Sequence, residues 1–156
     1  MNKNYALPAT NAKNITLFGT TSVDFLYGGS GAGSISTLGT PTLKEAFENL
    51  DFKVNSKVWD LYSSGAGSSY RRKASSKAYK VGEAPVSIFT DDIKSSFSNF
   101  NDLAIVVIGR TGMENSDLAL TTVEDSSKHS LQLSQNEIET IKLAKDSGFK
   151  KVVVLL

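Results

Sequence analysis

Hydrophobic positions along this chain switch between two periods. Leu103, Ala104, Ile105, Val106, Val107 and Ile108 form an unbroken apolar run of strand length, bounded by Asn101-Asp102 and Gly109. A run of this kind is the mark of a strand covered on both faces. Residues 15–19 read as a shorter strand ending at Gly19, residues 52–55 as another, and residues 150–156 as a last buried strand. Between them the spacing becomes helical. Leu43, Ala46, Phe47 and Leu50 fall at i, i+3, i+4 and i+7, and Thr42 with Glu45 forms a capping box, so 42–50 is predicted as a helix. Residues 56–62 read as a helix with Val58, Trp59 and Tyr62 inward. A further helix is expected from Thr90 to about Phe100, with Asp91 and Asp92 at its positive end. Ser134 and Glu137 make a second capping box, ahead of a helix whose buried side is Ile138, Ile141, Leu143 and Ala144, stopped at Gly148. Alternating strands and helices imply right-handed β-α-β units on a parallel sheet, an α/β fold.

In such sheets ligands bind just beyond the carboxyl ends of the strands. The segment leaving the 103–108 strand runs Gly109-Arg110-Thr111-Gly112-Met113-Glu114-Asn115-Ser116-Asp117 and brings Arg110, Glu114 and Asp117 to that rim. Glu114 is the candidate for acid–base work, because a partly desolvated carboxyl on a glycine-flanked loop holds its proton nearer neutral pH. Asp117, three residues on, is too local to act from the opposite side of a bond. The 15–19 strand leads to a second polar segment, Gly28-Gly29-Ser30-Gly31-Ala32-Gly33-Ser34, where the backbone can approach a ligand or a neighbouring domain closely. These glycines follow the strand by nine residues and open no helix, and no Gly-Lys-Ser/Thr follows, so neither the dinucleotide fingerprint nor the phosphate-binding P-loop is met. Residues 63–82, rich in Ser, Gly, Lys and Arg, are expected as a long mobile loop. Residues 121–130 form a polar linker that includes His129, read as a surface histidine.

Composition narrows the classes. The chain has 156 residues, 40% hydrophobic and 21% charged, with net charge +1, which suits one domain and gives no field for nucleic acid. It has no cysteine and one histidine, so disulfides and a multi-histidine metal site are excluded. No cofactor is expected. Without a run of about 20 apolar residues or an apolar signal core, the chain reads as cytoplasmic. A domain rarely stops inside a core strand, so the chain is expected to be a truncated piece of a longer polypeptide, a single domain over 1–156.

Seven stretches in order complete the reading: FG at 18–19, YGGSGAGS at 27–34, TLKEA at 42–46, DLAIVVIGR at 102–110, GMENSD at 112–117, LQLSQNE at 131–137 and GFKKVVVLL at 148–156. Together they resemble the second, α/β-sandwich domain of glycoside hydrolase family 3, the β-glucosidase-like enzymes. That resemblance implies a three-layer sandwich with a mostly parallel sheet and helices on both faces. It implies that the nucleophile, an Asp, lies in a separate (β/α)-barrel domain of the same polypeptide, absent here. The acid/base role falls on Glu114, and Met113 and Asn115 stand where the family pattern has Gly. Gly28, Gly29, Ser30 and Gly31 match the glycine loop near the sugar and the barrel, with Arg110 assigned to the same substrate-binding or domain-interface group. Asp117 is read as orienting the loop. Retaining glycosidases need two carboxyls about 5–5.5 Å apart. A chain supplying one of them is expected to be inactive alone, its parent acting on β-glucosides or β-xylosides. The alternative is a non-catalytic carbohydrate-binding or structural α/β domain. A missing barrel would leave an uncovered face, and a homodimer of the isolated chain then becomes an expectation.

Overall fold

The structure is a computed structural model that describes residues 2–3, 5–28, 36–74, 79–112, 118–122 and 124–156. The strands are β1 (Asn14–Phe18), β2 (Lys53–Val54), β3 (Lys73–Ala74), β4 (Tyr79–Lys80), β5 (Leu103–Val107) and β6 (Val152–Leu155). The helices are α1 (Thr20–Val23), α2 (Leu43–Glu48), α3 (Ser56–Ser63), α4 (Asp91–Ser95) and α5 (Gln135–Asp146). Among the described residues, β2, β1, β5 and β6 pair in that order, all parallel, as one four-stranded sheet.

The alternation of side chains along β1 and β5 divides the interior in two. Phe18, Ala104, Val106 and Ile108 face one way, against Val58, Leu61 and Tyr62 of α3 and Ala144 of α5. Ile15, Leu17, Leu103, Ile105 and Val107 face the other way, against Leu43 and Phe47 of α2. The chain steps from β1 to β2 by way of α2, then returns past β1 to β5 and on to β6 by way of α3 and α5. Opposite directions of travel with right-handed crossovers put the helices on opposite faces, which makes the three-layer α/β arrangement. The reversal of direction lies between β1 and β5 and creates a crevice at their carboxyl ends.

Both expected capping boxes form: Thr42 Oγ1 accepts from Glu45 N, Ser134 Oγ accepts from Glu137 N, and each glutamate accepts from its cap's own amide. Gly148 takes φ +79° just beyond α5, as a helix stop requires. Several expectations are corrected. The helix after Thr42 ends at Glu48, so Leu50 falls past it and is 67% exposed. Trp59 packs with the α2-side cluster, and Leu61 takes the inward place beside Val58 and Tyr62. The helix after Thr90 is α-helical only to Ser95 and tightens to a 3-10 turn over Ser96–Asn99. The inward line of α5 is Glu137, Thr140 and Ala144, with Ile141 and Leu143 half-buried beside it. β6, expected to be buried, is an edge strand among the described residues, and Val154 and Leu155 are exposed. Residues 63–82, expected as one long loop, hold a 3-10 turn over Ala66–Tyr70 packed on α3, then the antiparallel β3–β4 ribbon.

Candidate functional site

At the crevice the chain leaves β1 through Gly19. Gly19 has φ +98°, and a Cβ there would strike the Val107 carbonyl oxygen at the end of β5. The two strand ends are pressed together at a point only glycine can occupy. Thr21 Oγ1 adds a 2.6 Å hydrogen bond to the same Val107 oxygen. A second close approach follows. A Cβ on Gly109 would lie 2.5 Å from Leu26 Cδ1 and 3.2 Å from Thr21 Cγ2, so the segment leaving β5 rests directly on the segment leaving β1. These two stems lead to the glycine-rich residues and to the 113–117 stretch. Tyr27, stacked edge-on with Phe25, donates from its hydroxyl to Pro41 O at 2.8 Å, which draws together the two ends of the glycine-rich excursion. Beside the stems lies a cavity of about 210 Å³ walled by Thr21, Phe25, Leu26, Ile108 and Leu155.

The expected site residues divide as follows. Gly28 is exposed at the tip of the β1 stem. Gly29, Ser30, Gly31, Glu114 and Asp117 lie outside the described residues. Arg110, expected at the substrate or the domain interface, is in place and anchored within the chain. Its five N–H donors are all spent inside the chain. Nε donates to Ser130 O at 2.6 Å, Nη1 to Gly109 O at 2.9 Å and Glu137 Oε1 at 2.6 Å, and Nη2 to Gln132 O at 2.9 Å and Glu137 Oε2 at 2.8 Å. Glu137 is buried, and its pairing holds the guanidinium above its ordinary pKa. The same Glu137 accepts from Ser134 N, so one carboxylate caps α5 and clamps the root of the 111–117 segment. The polar 121–130 linker folds back through a Thr121–His129 bridge and presents the Ser130 carbonyl to Arg110.

One residue of the crevice was not singled out from sequence. Glu83 is 5% exposed, its Oε2 accepts from Thr20 N and its Oε1 from Ala84 N, both at 3.0 Å. Burial pushes its carboxyl up to about 8, against the lowering effect of the Thr20 amide. The signal available was an acidic residue between Gly82 and the apolar Ala84-Pro85, at the end of a basic, Ser-rich tract. Nothing local marks it as buried. Among the described residues, no group of three His, Asp or Glu converges to hold a metal ion, and no helix is long and apolar enough to cross a membrane.

No family model matches the chain, and no curated protein matches it in sequence. Solved structures do match. β-Glucosidase 3B from Thermotoga neapolitana, in complex with glucose, superposes with a TM-score of 0.71 at 20% identity, over 99% of this chain and 21% of that one. The fold is that of one part of a β-glucosidase. The same enzyme in complex with α-D-glucose gives 0.67 at 21% identity, again over 99% of this chain. A β-glucosidase from Paenibacillus barengoltzii gives 0.63 at 22% identity, over 98% of this chain and 16% of its own length. The chain thus spans about a fifth of the length of the β-glucosidases whose fold it shares. At these identities the likeness establishes the α/β architecture.

Proposed function

We propose that this chain is the acid/base-bearing sandwich domain of a retaining glycoside hydrolase that acts on β-glucosides or β-xylosides. Glu114 is the acid/base, Gly28 to Gly31 approach the sugar or the neighbouring domain, Asp117 orients the loop, and Arg110 anchors its root. The nucleophile comes from the (β/α)-barrel of the same polypeptide. The observation that carries the reading is the contact of the two stems: Leu26 lies on Gly109, so the stems that precede the glycine-rich and 113–117 stretches run side by side at the strand-order reversal. The ordered motifs and the fold shared with β-glucosidases over 99% of the chain support it.

Chemically, a retaining mechanism needs a carboxyl that first protonates the leaving oxygen and then activates water, opposite a nucleophilic carboxylate. One domain cannot supply both from a single loop, so the chain alone is inactive. In the full-length parent, Glu114→Gln slows release of an aryl glucoside by about 10²–10⁴-fold, the span of a lost general acid–base catalyst. An unchanged rate rejects the assignment, and turnover by the 156-residue chain alone rejects the division of labour. The second reading, a non-catalytic carbohydrate-binding or structural domain, draws on Met113 and Asn115 and on Arg110 having no donor left for a ligand. Under it the parent stays active after Glu114→Gln. A homodimer of the isolated chain through its uncovered faces is part of the same proposal, and sedimentation measures it.

A further inference from the structure

The backbone at residues 82–84 is tied to three separate elements. Gly82 O accepts from Thr20 Oγ1 at 2.6 Å, and the Glu83 carboxyl accepts from Thr20 N, so the β1 stem is held twice. Glu83 N donates to Glu124 Oε1 at 2.8 Å, which holds the 118–130 segment. Glu83 O accepts from Asn136 Nδ2 at 2.8 Å, which holds the first turn of α5. The 118–130 segment and α5 are the two elements that clamp Arg110, through Ser130 O and Glu137. Behind the carboxyl lie Tyr62 Oη and Thr140 Oγ1, both buried.

We propose that Glu83 is a positioning residue that couples the two rim segments, so that the β1 stem and the Arg110-anchored root of the 111–117 segment keep or lose their placement together. The coupling stands on the hydrogen bonds of residues 82–84. Its consequence for catalysis rests on the glycosidase reading above.

The charge around Glu83 gives the coupling a direction. Tyr62 faces it from α3, Glu124 from the 118–130 segment, and Glu137, paired with Arg110, from α5. With a carboxyl pushed up to about 8 by burial, Glu83 carries its proton at neutral pH. The Tyr62 hydroxyl beside it acts the other way, favouring the ionised carboxyl. Ionisation adds a buried negative charge beside the buried Glu137, and the strain falls on the contacts that bind the two segments.

The test is a methyl NMR titration of the 156-residue chain between pH 5 and 9.5. Thr20 reports the β1 stem, Thr122 the 118–130 segment and Thr140 the α5 face. The expected result is one shared midpoint for all three, well above that of a free glutamate, and its loss in Glu83→Gln. Separate midpoints, the absence of any step, or a step that persists in Glu83→Gln overturns the proposal. Should Glu83→Gln fail to fold, Tyr62→Phe serves instead. Losing the hydroxyl beside the carboxyl moves the shared midpoint upward, and an unmoved midpoint overturns the coupling. No sugar enters the measurement, so its failure is distinct from failure of the glycosidase reading.

Discussion

Replacing Arg110 by Met removes the anchor of the 111–117 segment while keeping much of the side-chain volume. The magnitude follows from what is left behind. Breaking a fully buried ion pair by deleting one partner costs about 3–5 kcal/mol, because the remaining charge stays desolvated. Here the Arg110 side chain is 23% exposed and Glu137 9%, so water reaches part of the vacated site. Glu137 also keeps its bond from Ser134 N. The lower end applies, about 3 kcal/mol, with three backbone carbonyls losing donors that water partly replaces. For a chain of this length that lowers the melting temperature by roughly 6–12 °C. A double-mutant cycle with Glu137→Gln isolates the pair. Urea unfolding of the wild type, both single variants and the double variant should give a coupling energy of about 2–3 kcal/mol, with the double variant less damaged than the singles predict in sum. A coupling below about 0.5 kcal/mol would place Arg110 among ordinary surface ion pairs and refute its role as the loop's anchor.

Three further outcomes are expected. Gly19→Ala combines a positive φ with a clash against the Val107 carbonyl, and urea unfolding should show a loss of at least about 3 kcal/mol, or no folded protein. Glu83 folds with its pKa raised from 4.5 to about 8, so its stabilising contribution is complete below pH 4.5 and is lost as pH rises through 8. At about 1.4 kcal/mol for each pH unit crossed up to 8, the loss between pH 5 and 9 is about 4 kcal/mol by urea unfolding, and Glu83→Gln flattens it; a stability that rises over that range contradicts the burial argument. Asp102 acts at the opposite end. Lys150 Nζ, then the Asn14 and Lys13 amides, hold its carboxyl well below the usual carboxylate range, so its contribution is present above pH 4 and is lost on acidification, which Asp102→Asn removes in a melting series.

The strands and the caps were legible because each rests on local chemistry. A run such as 103–108 has one way to satisfy its backbone and bury its side chains, a hydroxyl three residues ahead of a glutamate caps a helix, and glycine ends one. The errors sit where locality stops. Leu50 fits the helical period, but the helix closes two residues earlier. Trp59 fits the period of α3, but its ring packs with the cluster on the α2 side rather than with Val58 and Tyr62.

What sequence alone determined is the alternation of strand and helix, and with it a parallel α/β sheet whose carboxyl rim carries the stems at 19–28 and 109–112. Only the tertiary structure decided which rim residues are free to act. Arg110 reads as a ligand contact until Glu137, 27 residues away, is seen to accept two of its bonds. Glu83 reads as a loop charge until Thr20, 63 residues away, meets it in the interior. A residue's period, cap or turn is set by neighbours a few positions along the chain. Its protonation and its spare hydrogen bonds are set by whatever the fold packs against it.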